Sequence, residues 1–329
     1  MGKRFFFHLI IFFLVSFCYA DEITEIEEKT FPLKLGSLIS ITADEGEIFI
    51  SSWDKDEVYL KMTKRAWARN RREAECFLKN ITVKIYETYD KLTIKEVKRD
   101  RGGFRFSDLF DRDFWEGGGY GTCVDFELKV PEDIDLKIGC DEGDVEIRDV
   151  RGNLQVEVDE GDVNVSKIIS DDIQIYVDEG DIYLSEIDNT EKGFLNIETD
   201  EGEIIVQGGS LGEVDIDSDE GDITINVKRL FRSWISTDEG DIEMSFQPVG
   251  NADYRFETDE GDIKITIPEN SNINVRLQSS EGRIDTDFDL NVYDRSDGEV
   301  VDGVIGKGEK SNYLKAYTDE GYIILLKKR

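Results

Sequence analysis

Histidine is almost absent from this sequence of 329 residues, and the single copy, His8, lies within the first twenty positions. Residues 1–20 have the pattern of an export signal, so the chain that remains after its removal would contain no imidazole. Catalytic arrangements of the Ser-His-Asp and Cys-His kinds need an imidazole as their base, and many zinc sites need it as a ligand. The sequence therefore excludes these enzyme classes and any metal site with a histidine ligand.

Basic residues are also scarce relative to acidic ones. The chain has 40 Lys and Arg against 74 Asp and Glu, which gives a formal net charge of −34 at pH 7. Nucleic-acid binding relies on clustered Lys and Arg against the phosphates, so this balance argues against such a partner. It favours metal cations, cationic proteins or simple solubility instead.

Long hydrophobic runs are missing apart from one short block near the start. Residues 5–17 are mostly apolar but too few to span a membrane comfortably, and two basic residues precede them. With cleavage predicted after Ala20, residues 1–20 have the pattern of a signal peptide. A lipoprotein attached at Cys18 and an uncleaved anchor are the alternatives. Cleavage predicts an exported protein that is periplasmic, at the cell surface or secreted, with no membrane span.

One phrase is abundant, namely Asp-Glu-Gly followed in most copies by a further acid. In the central run its glycines are spaced 18, 19, 22, 19, 19, 21 and 21 residues apart. A period of this size is typical of solenoids. Counting a degraded copy, Ser-Glu-Gly-Arg at 280–283, the glycines of the ten copies are Gly46, Gly143, Gly161, Gly180, Gly202, Gly221, Gly240, Gly261, Gly282 and Gly321.

Apolar and polar residues alternate on both sides of each glycine, which predicts a strand, a corner and a second strand. Around Gly180, for example, Ile175 and Val177 precede the corner and Ile182 and Leu184 follow it. A glycine at the third position of a type II turn supplies the positive φ that this turn requires. We predict an all-β fold, a parallel β-solenoid (β-helix) with rungs of about 20 residues and directly stacked corners.

The prediction divides the chain into three parts. A signal peptide at 1–20 is followed by an N-terminal β-rich region at 21–137 and by the solenoid at 138–329. The period fails after Arg283, which predicts an excursion or hairpin at about 287–310 before the chain returns to the repeat.

The N-terminal region departs from the repeat in three places. A short helix is predicted over 70–79, because Asn70 and Glu73 form a helix-capping pattern. A hairpin is predicted within 81–97. Residues 98–122 mix arginines, aromatic residues and glycines. This segment is interpreted either as a surface loop that covers the open end of the solenoid or as a binding lid.

Three cysteines remain after the predicted signal peptide. Cys140 falls in an inward-facing column that is otherwise Val, Thr and Ser, so we interpret it as a small core residue. Export would permit disulfides, and Cys76 with Cys123 is a candidate pair. Sequence alone does not fix the connectivity.

Several of these features resemble the bacterial putative-adhesin family, a domain of unknown function related to LiaG-type cell-envelope proteins. They are the turn glycine followed by an acid and Ile, the segment VPEDIDL at 130–136 and the segment GVIGKG at 303–308. The resemblance covers roughly residues 30–329 and implies an exported β-solenoid with an adhesin-like role. In that family a small residue such as Ser commonly precedes the glycine, whereas Glu stands there in all ten copies here.

Repetition without one distinguished position favours a non-catalytic scaffold for surface attachment or envelope interactions, with an unidentified protein or glycan ligand. The alternative is a polysaccharide-acting enzyme on a parallel β-helix, for which paired carboxylates are too abundant to single out one pair. Arg283 interrupts the acidic column and is interpreted as neutralising Asp262 on the preceding rung. No catalytic residue and no organic cofactor are predicted.

Stacked acidic corners also suggest a cation site. Equivalent carboxylates on neighbouring rungs would lie about 4.8 Å apart and repel each other. Either water and salt screen them, or divalent cations bind between them, and Ca²⁺ is favoured because it accepts six to eight oxygen ligands. The candidate ligands are Asp159, Glu160, Asp162, Asp178, Glu179, Asp181, Asp219, Glu220, Asp222, Asp238, Glu239 and Asp241.

Overall fold

The structure is a computed structural model that describes residues 21–97, 121–295, 298–307 and 312–328. The predicted signal peptide and residues 98–120, most of the predicted aromatic and Gly-rich segment, lie outside this part of the chain. Within it, one short helix accompanies 27 strands. The described residues contain no helix with the length and apolar composition needed to cross a bilayer.

Ten rungs share one plan, in which a longer strand enters the glycine corner and a shorter strand leaves it. The entering strands are β2 (Leu38–Glu45), β8 (Asp135–Glu142), β10 (Leu154–Glu160), β12 (Asp172–Glu179), β14 (Phe194–Glu201), β16 (Ser210–Glu220), β18 (Arg229–Glu239), β20 (Asp253–Glu260), β22 (Ile273–Glu281) and β26 (Asn312–Glu320). The leaving strands are β3 (Ile48–Trp53), β9 (Val145–Arg148), β11 (Val163–Ser166), β13 (Ile182–Ser185), β15 (Ile204–Gln207), β17 (Ile223–Asn226), β19 (Ile242–Ser245), β21 (Ile263–Pro268), β23 (Ile284–Thr286) and β27 (Ile323–Lys328).

Neighbouring rungs pair in parallel and in register, which confirms the predicted solenoid. On the entering side, Val156 lies opposite Ile138 on one neighbour and Ile175 on the other, and all three side chains are buried. Entering strands form part of a 14-stranded sheet, here called sheet B, and leaving strands form part of a 13-stranded sheet, sheet A. The inward columns of Ile, Val and Leu from both sheets join in one continuous core.

Rungs in the middle of the solenoid have a second corner after the strand in sheet A, a feature that the sequence patterns did not predict. Three successive rungs place a non-glycine residue in the left-handed region there, Asp149, Lys167 and Glu186, with φ values of 59°, 54° and 54°. The residue that follows each of them, such as Ile168, is buried. Isolated parallel bridges, for example between Arg151 and Ile169, link the returning segments. These segments close the third side of the coil.

The last rungs do not follow chain order. Strand β26 pairs with β20 on one side and with β22 on the other, and β27 lies between β21 and β23. The excursion predicted at 287–310 is a hairpin of β24 (Asn291–Arg295) and β25 (Gly298–Ile305), and β25 pairs antiparallel with β22. The final segment therefore enters the stack one rung before its end.

The N-terminal strands extend the same two sheets. Strands β1 (Asp21–Pro32), β4 (Glu57–Ala68) and β7 (Gly121–Pro131) continue sheet A beyond β3, and the hairpin β5 (Thr82–Glu87) and β6 (Lys91–Val97) continues sheet B beyond β2. Hydrogen bonding is thus continuous across the predicted domain boundary at residue 137, and the division into two regions stays a prediction.

The predicted helix and hairpin are both present. Helix α1 (Arg71–Leu78) begins after Asn70, whose side chain accepts a hydrogen bond from the Glu73 backbone N–H at 3.1 Å. Strands β5 and β6 pair antiparallel.

The three described cysteines are free, so the candidate pair Cys76–Cys123 is not formed. Cys76 is exposed on α1, whereas Cys123 is buried in β7. Cys140 is 2% exposed, as expected of a core residue, and burial raises the pKa of its thiol to about 12.

Candidate functional site

The glycines of the ten corners form a single column along the solenoid. A Cβ built on Gly202 would lie 2.1 Å from the carbonyl oxygen of Gly180 on the next rung, and one on Gly321 would lie 2.0 Å from that of Gly261. Gly202 has a φ of 144°. Positive φ was predicted, but this value is far from the roughly +80° of a type II turn, so that turn assignment was wrong. Close stacking of backbones is the stronger reason for glycine here.

The acid after the glycine has a structural role that sequence reasoning missed. Asp162 donates its backbone N–H to Asp144 Oδ1 at 3.0 Å, and in turn accepts a hydrogen bond from the Asp181 N–H at 2.9 Å. The same bond recurs from Asp241 to Asp222 Oδ1 at 2.8 Å. Each such carboxylate therefore binds the corner of the next rung, which explains why a short acid is common at this position.

The threonines and serines three positions before the glycine form a second set of bonds along the column. Thr258 Oγ1 donates to the carbonyl oxygen of Gly240 at 3.0 Å, and Ser279 Oγ donates to that of Gly321 at 2.8 Å. Both side chains are buried. A change from Val to Thr and Ser along this column was visible in the sequence and was the signal that could have revealed these bonds.

The glutamate before the glycine is in register on all ten rungs. From one end of sheet B to the other the column consists of Glu45, Glu142, Glu160, Glu179, Glu201, Glu220, Glu239, Glu260, Glu320 and Glu281. We call this column, with the acids that flank it at each corner, the acidic ridge. Two unit charges about 4.8 Å apart repel by about 1 kcal/mol in water. Hydration and dissolved salt must therefore offset much of the repulsion between the stacked carboxylates of the ridge.

All twelve predicted cation ligands lie on the acidic ridge, in two groups. The corners at Gly161 and Gly180 are adjacent, as are those at Gly221 and Gly240, and the corner at Gly202 separates the two groups. Ten of the twelve side chains are exposed, and Asp162 and Asp181 are half-buried. The structure therefore brings neighbouring corners together. Among the described residues, however, no group of three or more His, Cys, Asp or Glu side chains is arranged to hold a metal ion.

Glu96 marks the N-terminal end of the ridge. Its carboxylate accepts a hydrogen bond from the Asp44 backbone N–H at 3.1 Å. The pKa of this carboxyl is raised to about 7, chiefly by burial and also by the negative charges of Asp44, Glu45 and Asp141, whereas the hydrogen bond from the Asp44 N–H lowers it. Glu96 is thus a half-buried acid that ionises near neutral pH at one end of a strongly negative surface.

The interpretation of Arg283 is corrected by the order of the rungs. Arg283 belongs to the corner at Gly282, which stacks on the corner at Gly321 rather than on that at Gly261. Tyr322 therefore lies between Arg283 and Asp262, and its backbone N–H donates to Asp262 Oδ1 at 2.7 Å. A pairing of Arg283 with Asp262 assumed that spatial order follows chain order, which fails at this end of the solenoid.

Comparison with known proteins gives one match to a family and several to solved structures. The model of the family described as Toastrack DUF4097 matches residues 36–325. No curated protein matches the sequence significantly. The family match confirms the resemblance to a domain of unknown function that the repeat had indicated.

The similar solved structures are related only distantly. A putative adhesin from Bacteroides fragilis is 11% identical with a TM-score of 0.44, and covers 92% of this chain and 97% of its own. A putative adhesin from Parabacteroides distasonis is 10% identical with a TM-score of 0.42, covering 91% and 97%. A putative lipid binding protein from the same species is 12% identical with a TM-score of 0.39, covering 91% and 96%. At these TM-scores the likenesses carry no functional argument.

Proposed function

Since the chain belongs to the Toastrack DUF4097 family, we propose that it is an exported, non-catalytic β-solenoid scaffold that takes part in attachment or in cell-envelope interactions. The observation that carries the proposal is the repetition of equivalent exposed groups on ten stacked rungs. Nine steps of about 4.8 Å give an edge roughly 43 Å long. Such a surface suits the binding of an extended ligand, as in other repeat proteins.

The test measures binding and turnover in the same samples. Purified, fluorescently labelled protein is incubated with bacterial cells and with isolated cell envelopes, and both retained label and released soluble saccharides are measured. We expect saturable retention with no saccharide release. An unrelated acidic protein of matched net charge serves as the control. Catalytic release of envelope saccharides, or retention no greater than that of the control, would contradict the proposal.

We further propose that divalent cations, above all Ca²⁺, bind along the acidic ridge and stiffen the solenoid. The in-register stacking of the twelve candidate ligands supports this, since a cation between two corners would replace repulsion by attraction. One oxygen of Asp162, Asp181, Asp222 and Asp241 already accepts a backbone N–H. Binding would therefore depend on movement of the exposed Asp and Glu side chains, and we expect weak affinity.

Thermal unfolding with Ca²⁺ and with chelator, at matched ionic strength, tests the cation proposal. We expect a higher Tm with Ca²⁺, and a smaller gain in the variant Glu179→Gln/Glu220→Gln. Glu22→Gln/Glu25→Gln is the control, because it removes the same charge from two exposed acids on β1, three strands from the nearest corner. Equal Tm values with and without Ca²⁺ would remove the proposal.

A further inference from the structure

The outward-facing surface of sheet B changes character near its C-terminal end. The position six residues before each corner glycine faces outward, and successive rungs place Gln174, Asn196 and Asp215 there in the middle of the sheet. On the next four strands, β18, β20, β26 and β22, this position is Trp234, Arg255, Lys315 and Arg276. We call these four residues the basic row. All four are exposed, and Asp302 on β25 lies opposite Arg276 at the end of the row.

Three cations side by side need an explanation in this chain. The strands are about 4.8 Å apart, and like charges directly opposite each other destabilise a sheet. Arg255 Nη2 contacts Glu257 Oε1 at 2.7 Å, but within the described residues no ion pair reaches Lys315 or Arg276. The row lies in a protein with 74 acidic and 40 basic residues. Folding alone gives no reason to gather unpaired cations at this place.

Aromatic side chains lie along the same surface. The Trp234 ring is 50% exposed, and the Arg255 guanidinium carbon lies 4.7 Å from its centroid. Tyr313, two residues before Lys315 on the same strand, is 47% exposed. Next to it, the three cations border a shallow, open pocket of about 300 Å³ together with Tyr317, Gln278 and Glu257, the partner of Arg255.

This combination matches the chemistry of an acidic sugar chain. Exposed aromatic rings offer a flat apolar surface to the carbon-bound hydrogens of a pyranose ring, and amide and phenol groups offer hydrogen bonds to hydroxyls. Arg and Lys bind carboxylates, Arg often with two parallel hydrogen bonds. Three cations in a line, spanning about 10 Å, suit a ligand that carries its charges at intervals. A neutral glycan would leave Lys315 and Arg276 unpaired.

The acidic ridge does not prevent this binding. On β20 the first ridge acid, Asp259, is four residues from Arg255, which corresponds to about 13 Å along the strand. The Debye length at physiological salt is about 8 Å, so the ridge is largely screened at the row. Nucleic acid fits less well, because three cations are few and a duplex would extend over the rest of an acidic surface.

We propose that the basic row, with Tyr313 and Tyr317, binds an anionic polysaccharide. The glycan proposal rests on the proposed scaffold function and names the class of ligand that the scaffold binds. The ligand lies across strands β18, β20, β26 and β22, with its acidic groups on Arg255, Lys315 and Arg276 and a sugar ring on Trp234.

The experiment uses polygalacturonate as the probe and isothermal titration calorimetry as the measurement, with uncharged dextran as the comparison. The test variant is Lys315→Ala/Arg276→Ala. The matched control is Lys95→Ala/Lys137→Ala, which removes the same charge from exposed positions on the same face at the other end of sheet B. We expect at least about tenfold weaker binding in the test variant and less than about twofold change in the control. Trp234→Ala is expected to weaken binding without altering the salt dependence.

Several results would overturn this proposal. The test variant could bind polygalacturonate as tightly as the unmodified chain does, or the unmodified chain could bind dextran as tightly as polygalacturonate. It could also bind anionic lipid vesicles or double-stranded DNA more tightly than polygalacturonate. The envelope-binding test above separates the two proposals. If the test variant is retained on envelopes as well as the unmodified chain, the glycan proposal fails and the scaffold proposal stands. If polygalacturonate binds through the row but envelopes retain no protein, the scaffold proposal fails and the row remains a glycan site.

Discussion

Replacing Gly202 by Ala is expected to destabilise the solenoid severely, although the added group is a single methyl. The Cβ would lie 2.1 Å from the Gly180 carbonyl oxygen, which is backbone and cannot rotate away. An ordinary contact needs about 3.5 Å, so the two corners would have to separate by more than about 1 Å. That movement would stretch the parallel hydrogen bonds between β12 and β14 before the corner and between β13 and β15 after it.

The magnitude can be estimated from two contributions. Gly202 has a φ of 144°, a region that side chains rarely adopt, and holding Ala there costs about 1–3 kcal/mol. The overlap with Gly180 adds a cost comparable with overpacking a core, about 1–3 kcal/mol. We therefore expect a loss of about 2–6 kcal/mol in the free energy of unfolding, which is large against a typical net stability of about 5–15 kcal/mol.

Gly139 provides the matched control. It lies in β8, its Cβ would have no atom within 4 Å, and its φ is not positive. Gly139→Ala should leave the folded state unstrained. It should raise the free energy of unfolding by about 0.4–1 kcal/mol, because alanine reduces the conformational entropy of the unfolded chain. The assay is urea unfolding followed by far-ultraviolet circular dichroism. We expect the midpoint to fall by roughly 1 M for Gly202→Ala and not to fall for Gly139→Ala. Equal midpoints for the two variants would refute the stacking argument.

Three further predictions concern the other corner contacts. Glu96→Gln should raise the Tm at pH 8, because it removes a cost of roughly 2–3 kcal/mol to the free energy of unfolding, and should change the Tm little at pH 4. This cost develops as the pH rises from the ordinary pKa of 4.5 to about 7, where the buried carboxyl ionises. An equal shift in Tm at both pH values would contradict burial as the cause. Asp241→Asn should keep the acceptor for the Asp262 N–H and match the unmodified chain, whereas Asp241→Ala should lose about 1 kcal/mol in urea unfolding; identical midpoints for Asn and Ala would show that the bond contributes nothing. Thr258→Val should cost about 1 kcal/mol relative to Thr258→Ser, which retains the hydroxyl that donates to Gly240, and thermal unfolding of the pair tests this.

Local signals made much of the fold predictable. The alternation around each glycine specified which residues face the core, because side chains on a strand alternate between its two faces. The capping pattern at Asn70 specified the start of α1, because the bond it forms spans only three residues. The acidic ridge was predictable for the same reason. The acidic corner occupies the same position in every repeat, so stacking of the rungs also stacks the corners.

Contacts between distant segments were not predictable in this way. A strand can pair with any free edge of a parallel sheet, and the sequence of β26 does not indicate which strands will be its neighbours. Only the structure shows that β26 lies between β20 and β22. In the sequence, Arg255, Arg276 and Lys315 are separated by whole rungs and by a hairpin. The sequence by itself determined the repeating strands, the glycine corners and the charge of the ridge, because these depend on neighbouring residues. Only the tertiary structure decided that three cations meet beside Trp234, because insertion of β26 brings them into register.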